Sequence, residues 1–272
     1  MDKYCVFGNP IKHSRSPFIH QSFAKTAKQT LHYDTCLVDL DGFSEAVNDF
    51  ITQGGKGANV TVPFKEEALA LADELSDRAR LAGAVNTLIF KEGKILGDNT
   101  DGEGLVQDLL RNIVQLKSSR ILLLGAGGAA KGVILPLLAQ NPKSITIANR
   151  TISKAESLIE QFDNDKLLAC GFEQTNEHEF DLIINATSAS LSGKLPAISS
   201  SIIKSNTVCY DMVYGQSMTP FLAWAKCQGA NNVIDGLGML VGQAAESFDI
   251  WRGVKPSVEP VLNELRASLN AE

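Results

Sequence analysis

The run Ile121-Leu122-Leu123-Leu124-Gly125-Ala126-Gly127-Gly128-Ala129-Ala130 restricts the fold more than any other stretch of the chain. Four consecutive large aliphatic residues leave no polar face, so a strand built from them is covered on both sides, as in a parallel sheet. The glycines then turn the chain, and the alanine-rich segment after them starts a helix. Strand, glycine turn and helix in this order open a βαβ unit and offer free backbone N–H groups to an anion. Gly125 permits the sharp turn, and Gly127 lets the backbone approach a pyrophosphate. Ala130 stands where a small residue lets helix and strand pack closely. Glycine turns also end strands for purely steric reasons, so the flanking elements carry the nucleotide reading.

A second strand is expected over 144–148, and its end is where a dinucleotide site reads the ribose. NAD binders place an acidic residue there; this chain has Asn149-Arg150-Thr151 and no carboxylate. The Arg150 guanidinium suits a 2′-phosphate, Thr151 adds a hydroxyl and Lys154 a further positive charge. These cations could simply decorate a helix start, but a cation is electrostatically unhelpful at a helix N-terminus. NADP is therefore expected rather than NAD. Its cradle would be Gly125, Ala126, Gly127, Gly128 and Ala129, with Asn149, Arg150, Thr151 and Lys154 at the phosphate-bearing ribose.

The rest of the chain alternates in the same manner. Strands are expected over 4–7, 33–37 and 59–62, helices over 18–27, 42–53 and 66–75, and a hairpin over 87–90 and 94–97. A helix over 104–114 leads into the second α/β unit, with further strands expected over 181–185, 208–212 and 233–234. Helices over 240–251 and 257–269 close the chain and can return to the first unit. The expected fold class is α/β with two α/β domains. One, with a mostly parallel sheet, covers 1–101 and is completed by helices in 236–272. The other is a Rossmann-type domain over 102–235, with a cleft between the two.

A net charge of −6 gives no general attraction for nucleic acid or an anionic membrane, so an anionic ligand has to be held by local groups. No apolar run reaches the roughly 18 residues that span a bilayer. Residues 1–8 read as a strand and turn rather than a signal peptide. Five scattered cysteines without a C-x-x-C pair, and four histidines without ligand spacing, point to a reducing cytoplasm and no metal.

The segment Asn59-Val60-Thr61-Val62-Pro63-Phe64-Lys65 alternates apolar and hydrogen-bonding side chains up to Pro63. Proline cannot donate to a central ladder, so the strand ends there or lies at an edge. Lys65 follows, at a strand end where α/β proteins commonly bind small molecules; the plainer alternative is a surface lysine on a turn. Asp101 lies at the junction of the two units, in a polar, glycine-rich segment where Asp98 reads as a turn former or cap. A lysine and an aspartate across a cleft can donate a proton to a carbonyl being reduced or take one from a hydroxyl being oxidised. A nearby carboxylate favours the charged ammonium, so the pair suits donation, and oxidation should quicken as pH rises. Ser14 and Ser16, after the first strand, can both face a carboxylate; Ser16, before Pro17, is also placed to cap a helix.

Together these segments resemble the shikimate dehydrogenase family, in order and over essentially the whole chain. The resemblance rests on Phe7-Gly8-Asn9-Pro10 with His13-Ser14-Arg15-Ser16-Pro17, the segment from Asn59 to Lys65, Gly83-Ala84-Val85-Asn86-Thr87 and Asn99-Thr100-Asp101-Gly102. The glycine turn, Asn149-Arg150-Thr151, Asn185-Ala186-Thr187-Ser188 and the run from Asp235 to Gln243 complete it. It implies NADP-dependent, reversible reduction of 3-dehydroshikimate to shikimate, with an N-terminal substrate domain and a central NADP domain. Ser14 and Ser16 would bind the substrate carboxylate, with Tyr214 assisting. Thr61, Asn86, Asp101 and Gln243 would hold the ring hydroxyls, Asn59 would support the pocket, and Lys65 would act as acid/base with Asp101. Met212, Gly236 and Met239 would lie near the nicotinamide. The resemblance allows a monomer or a homodimer. A relative that also uses quinate is the near alternative, and a non-catalytic NADP-binding sensor a distant one. One departure is Ser190, which stands where the family often has glycine; at positive φ a serine there would redirect the loop beside the cofactor.

Overall fold

The computed structural model describes residues 1–271, so residue 272 of the expected 236–272 segment lies outside the described residues. The chain divides into two compact units, Met1–Gly104 with Leu240–Ala267, and Leu105–Met239 with the C-terminal residues from Ser268.

The first unit runs β1 (Asp2–Gly8), α1 (Ser16–Thr26), β2 (Leu31–Leu37), α2 (Phe43–Thr52), β3 (Gly55–Val60), α3 (Lys65–Leu71), β4 (Glu74–Leu75), α4 (Asp77–Ala82), β5 (Thr87–Lys91) and β6 (Lys94–Asp98). Its sheet has the order β2-β1-β3-β5-β6-β4. Parallel pairings join β1 to β2 and β3, and β4 to β6; β5 runs antiparallel to both β3 and β6. The hairpin between β5 and β6 turns through Glu92 and Gly93, both at positive φ, the backbone that a two-residue type I′ turn requires.

Several elements differ from expectation: α1 starts at Ser16 instead of 18, α4 and β4 were not expected, and two others end early. β3 ends at Val60 instead of 62, because it is an internal strand and Pro63 could not pair there. α3 ends at Leu71 instead of 75, because Glu74 and Leu75 pair with Leu96 and Gly97 as a short edge strand. Behind β3 and α3 lies an apolar core in which Phe43 stacks on Phe64 at 5.0 Å and meets Phe7 edge-on. Full burial of such rings contributes about 1.5–3 kcal/mol each, and burying Phe64 fixes where α3, and so Lys65, begins.

Helix α5 (Asp101–Arg111) starts in the first unit and continues in the second. The second unit then runs β7 (Arg120–Leu124), α6 (Gly128–Ala139), β8 (Ser144–Ala148), α7 (Ile152–Phe162), β9 (Leu167–Cys170), β10 (Leu182–Asn185), β11 (Val208–Asp211), α8 (Pro220–Cys227) and β12 (Asn232–Asp235). Every pairing in its sheet is parallel, in the order β12-β11-β10-β7-β8-β9, the doubly wound arrangement. Ile121 to Leu124 are fully buried, as an apolar strand covered on both faces must be. The order reverses between β7 and β10, and a ligand crevice forms beyond their carboxyl ends in such sheets.

Helix α9 (Leu237–Arg252) leaves the second unit after Met239, and its remainder, with most of α10 (Val258–Ala271), belongs to the first. There Trp251 donates to the Leu88 carbonyl and stacks on Tyr4, while Arg252 binds Gln29 and Asp2. No helix among the described residues is long and apolar enough to cross a membrane, and no group of three potential ligands could hold a metal ion.

Candidate functional site

In the first unit Lys65 opens α3 and Asp101 opens α5, each following a buried residue, Phe64 and Thr100. Lys65 Nζ lies 2.5 Å from Asp101 Oδ2, and the two side chains keep 29% and 21% of their surface exposed. The pair is bonded yet reachable. Asp101 Oδ1 accepts from Asn86 Nδ2 at 2.8 Å, and the same amide reaches Gln243 Oε1 at 3.3 Å. The Asn86 amide has one possible sense, because its Oδ1 accepts from the Thr100 N–H at 2.9 Å and from Thr87 Oγ1 at 2.8 Å. Turned over, it would set a carbonyl against the Asp101 carboxylate.

Asn59 supports this arrangement from behind. Its Nδ2 donates to the Asn86 carbonyl and to Ser247 Oγ, both at 3.1 Å, which fixes its Oδ1 as the acceptor for Tyr33 Oη at 2.7 Å and His20 Nε2 at 3.0 Å. His20 therefore carries its proton on Nε2, and its buried Nδ1 has no partner among the described residues. Burial holds the His20 pKa down at about 3, against the opposing effect of the Asn59 hydrogen bond, so the imidazole is neutral and stacks on Tyr33 at 4.2 Å. Burial also pushes the Tyr33 phenol well above its usual range, with a hydrogen bond from Ser16 pulling the other way. A bonded chain thus runs from Tyr33 through Asn59 and Asn86 to Asp101 and Lys65.

Ser16 does not cap α1. Arg15 occupies the cap position with no side-chain cap bond, and Ser14 Oγ instead accepts the Ser16 N–H at 3.3 Å. Ser16 is already helical, so its hydroxyl is not spent on capping the helix. Thr61 lies half-buried past β3, its methyl packed over Gly8, where an added Cβ would come within 2.6 Å of it. Asp98 ends β6 and pairs with Arg78 at 2.7 Å, besides accepting from Ser76. Tyr214 lies half-buried in the second unit, after β11. Thr87, Thr100, Ser247, Tyr33 and His20 were not singled out from the sequence. Ser247 was within reach, one helical turn after Gln243 on the same face.

In the second unit a pocket of about 660 Å³ opens beyond β7 and β10. Residues 125–129, Asn149, Arg150, Phe172, 186–189 and Lys194 contribute to its lining. Gly125 holds a φ of +108°, and Gly127 starts α6 without a side-chain cap. Where Gly127 and Gly128 would carry a Cβ the space is open, so an anion can approach the first-turn N–H groups. Asn149 Nδ2 donates to the Thr151 carbonyl at 2.8 Å, closing the turn that carries Arg150. Thr151 and Lys154 lie exposed at the start of α7 and do not line the pocket. Arg150, Lys154 and Lys194 form no ion pair among the described residues, and two of these cations, Arg150 and Lys194, line the pocket where an anionic ligand would sit. Lys194 had no sequence signal, being a lone lysine in a loop. Met212, Gly236 and Met239 do not line the pocket; an added Cβ on Gly236 would lie 2.1 Å from the Met212 carbonyl oxygen, and Met239 packs on the core.

The sequence matches the shikimate dehydrogenase substrate binding domain over residues 6–88, shikimate / quinate 5-dehydrogenase over 108–199, and the shikimate 5'-dehydrogenase C-terminal domain over 236–266. A relative from Colwellia psychrerythraea, a shikimate dehydrogenase (NADP(+)), is 66% identical over 268 residues, covering 98% of both chains. The chain belongs to the shikimate dehydrogenase family. Shikimate 5-dehydrogenase from Thermus thermophilus, solved in complex with NADP(H) and shikimate, superimposes with a TM-score of 0.88 at 31% identity, over 99% of this chain and 100% of that one. An Ael1 enzyme from Pseudomonas putida reaches a TM-score of 0.95 at 44% identity, over 97% and 98%. The shikimate dehydrogenase segment 6–88 holds Ser14, Ser16, Asn59, Thr61, Lys65 and Asn86, and the 236–266 segment holds Gln243.

Proposed function

We propose that the chain catalyses the reversible, NADP-dependent reduction of 3-dehydroshikimate to shikimate. The observation that carries this is the 2.5 Å contact of Lys65 with Asp101, whose second oxygen is held by Asn86. Bound NADPH supplies the hydride for the ring carbonyl. Residues 125–129 would take the pyrophosphate on backbone N–H groups. Asn149, Arg150, Thr151 and Lys154 would take the 2′-phosphate end, and Met212, Gly236 and Met239 the nicotinamide end.

Lys65 donates its proton to the carbonyl oxygen as negative charge develops there, while Asp101 holds the ammonium in place. Ser14 and Ser16 donate to the substrate carboxylate, with Tyr214 assisting. Thr61, Asn86, Asp101 and Gln243 hold the ring hydroxyls, and Asn59 supports the pocket by holding the Asn86 backbone carbonyl. The enzyme works in the cytoplasm as a monomer or homodimer, a setting in keeping with its five free cysteines.

The match to a shikimate / quinate description makes quinate the second substrate to test. Reduction of NADP+ or NAD+ is followed at the nicotinamide absorbance band, with shikimate or quinate as donor. Rapid turnover with shikimate and NADP+ alone is expected. Comparable turnover with quinate or NAD+ would move the chain to the broader specificity, and folded protein inactive with every pair would leave the sensor reading.

A further inference from the structure

Ser190 lies in the segment that walls the nucleotide pocket, yet it does not line the pocket itself. Ala186, Thr187, Ser188, Ala189 and Ser192 do. Its φ is not positive, so the serine does not redirect the loop through backbone strain. It turns inward instead, 7% exposed, with its Oγ donating to Asp211 Oδ2 at 2.7 Å and accepting from Asn185 Nδ2 at 3.3 Å. Asp211 ends β11 and is fully buried. Its carboxylate also accepts from Thr219 Oγ1 at 2.6 Å, Asn185 Nδ2 at 3.1 Å and the Val213 N–H at 3.1 Å. Burial raises the Asp211 carboxyl, and these donors draw it back.

A buried carboxylate is tolerated when its oxygens are fully bonded, so the groups that satisfy it are held where they are. Among the described residues, the remaining hydrogen bonds of 187–193 stay within that segment, reach the adjoining Lys194 N–H, or reach Asn185 at the end of β10. The Ser190 hydroxyl is the bond that ties this turn to another strand. Apolar burial does little there, since Leu191 is 74% exposed.

We propose that Ser190 and Asp211 form a positioning clamp that sets the pocket wall for NADP before the nucleotide arrives. The clamp rests on the NADP reading above. Holding a wall in its bound shape removes an ordering cost from binding and leaves the chemical step alone. Ser190 is thus a positioning residue, acting through Asp211 on a loop that touches the cofactor.

The test is the NADP+ dissociation constant of the wild type and of Ser190→Ala, Ser190→Gly, Asp211→Asn and the Ser190→Ala/Asp211→Asn pair, with thermal midpoints to confirm folding. Ser190→Ala and Ser190→Gly are expected to weaken NADP+ about five- to tenfold, from lost preorganisation. Their kcat at saturating NADP+ and their KM for shikimate are expected to stay within about twofold. Once Asp211 is Asn, adding Ser190→Ala should cost less than about twofold more, the coupling of groups that act as a unit. Wild-type NADP+ affinity in the folded serine variants overturns the clamp, and fully additive losses overturn its route through Asp211. If Asp211→Asn does not fold, the two serine variants decide. A wild type that binds no NADP+ overturns the cofactor reading as well as the clamp, and so separates the two failures.

Discussion

His20 links the buried end of the first unit's polar network to pH. In the folded protein it stays neutral down to about pH 3, whereas a histidine in the unfolded chain takes up its proton near 6.5. Below 6.5 the unfolded state therefore binds more protons, and stability falls with pH until the folded imidazole titrates too. Between pH 7 and pH 5 this amounts to about 2 kcal/mol. Urea unfolding of wild type and His20→Phe at both values should show the extra loss in the wild type alone, because phenylalanine can keep the stack on Tyr33 without titrating. Equal losses in the two proteins would mean that His20 is not held neutral by its surroundings.

At the scale of elements, α5 and the start of α9 meet where Gly238 leaves no room. A Cβ there would lie 2.0 Å from Asp108 Oδ1, and Asp108 is itself held by Tyr210 Oη at 2.7 Å and by Arg111. Gly238→Ala is expected to lower stability by about 1–3 kcal/mol, the usual cost of overpacking, read as a drop in thermal midpoint. An unchanged midpoint would show that α9 can start elsewhere. The glycine was visible in the sequence; its partner, far earlier in the chain, was not. The same limit explains the other misses. Alternation over 59–62 announces a strand, but its internal place in the sheet decides that it stops at Val60. Two residues, Glu74 and Leu75, have no period to read, and only their pairing with β6 makes them a strand. The apolar run of β7 and the turn after it were legible because both depend on local chemistry.

For the whole molecule, the alternation of strands and helices carried most of the architecture, and the chain passes between its two units within α5 and again within α9. Residues next to glycines, prolines or strand ends could be picked out as candidates: Lys65, Asp101, Arg150 and the turn at 125–129. The groups that hold Asn59 and Asn86 behind Asp101, namely Thr87, Thr100, Ser247 and Tyr33, are ordinary buried polar residues whose meaning comes from the fold. Ser190 is the reverse case, conspicuous in the sequence for a backbone reason and engaged in the structure through its side chain. Proton transfer by Lys65 beside Asp101 is read from kcat and KM for shikimate in Lys65→Ala. A positioned acid or base contributes about 10²–10⁴ in rate, so kcat should fall at least about a hundredfold while KM stays within about threefold. A KM that rises with kcat retained would make Lys65 a binding group and contradict its role in proton transfer.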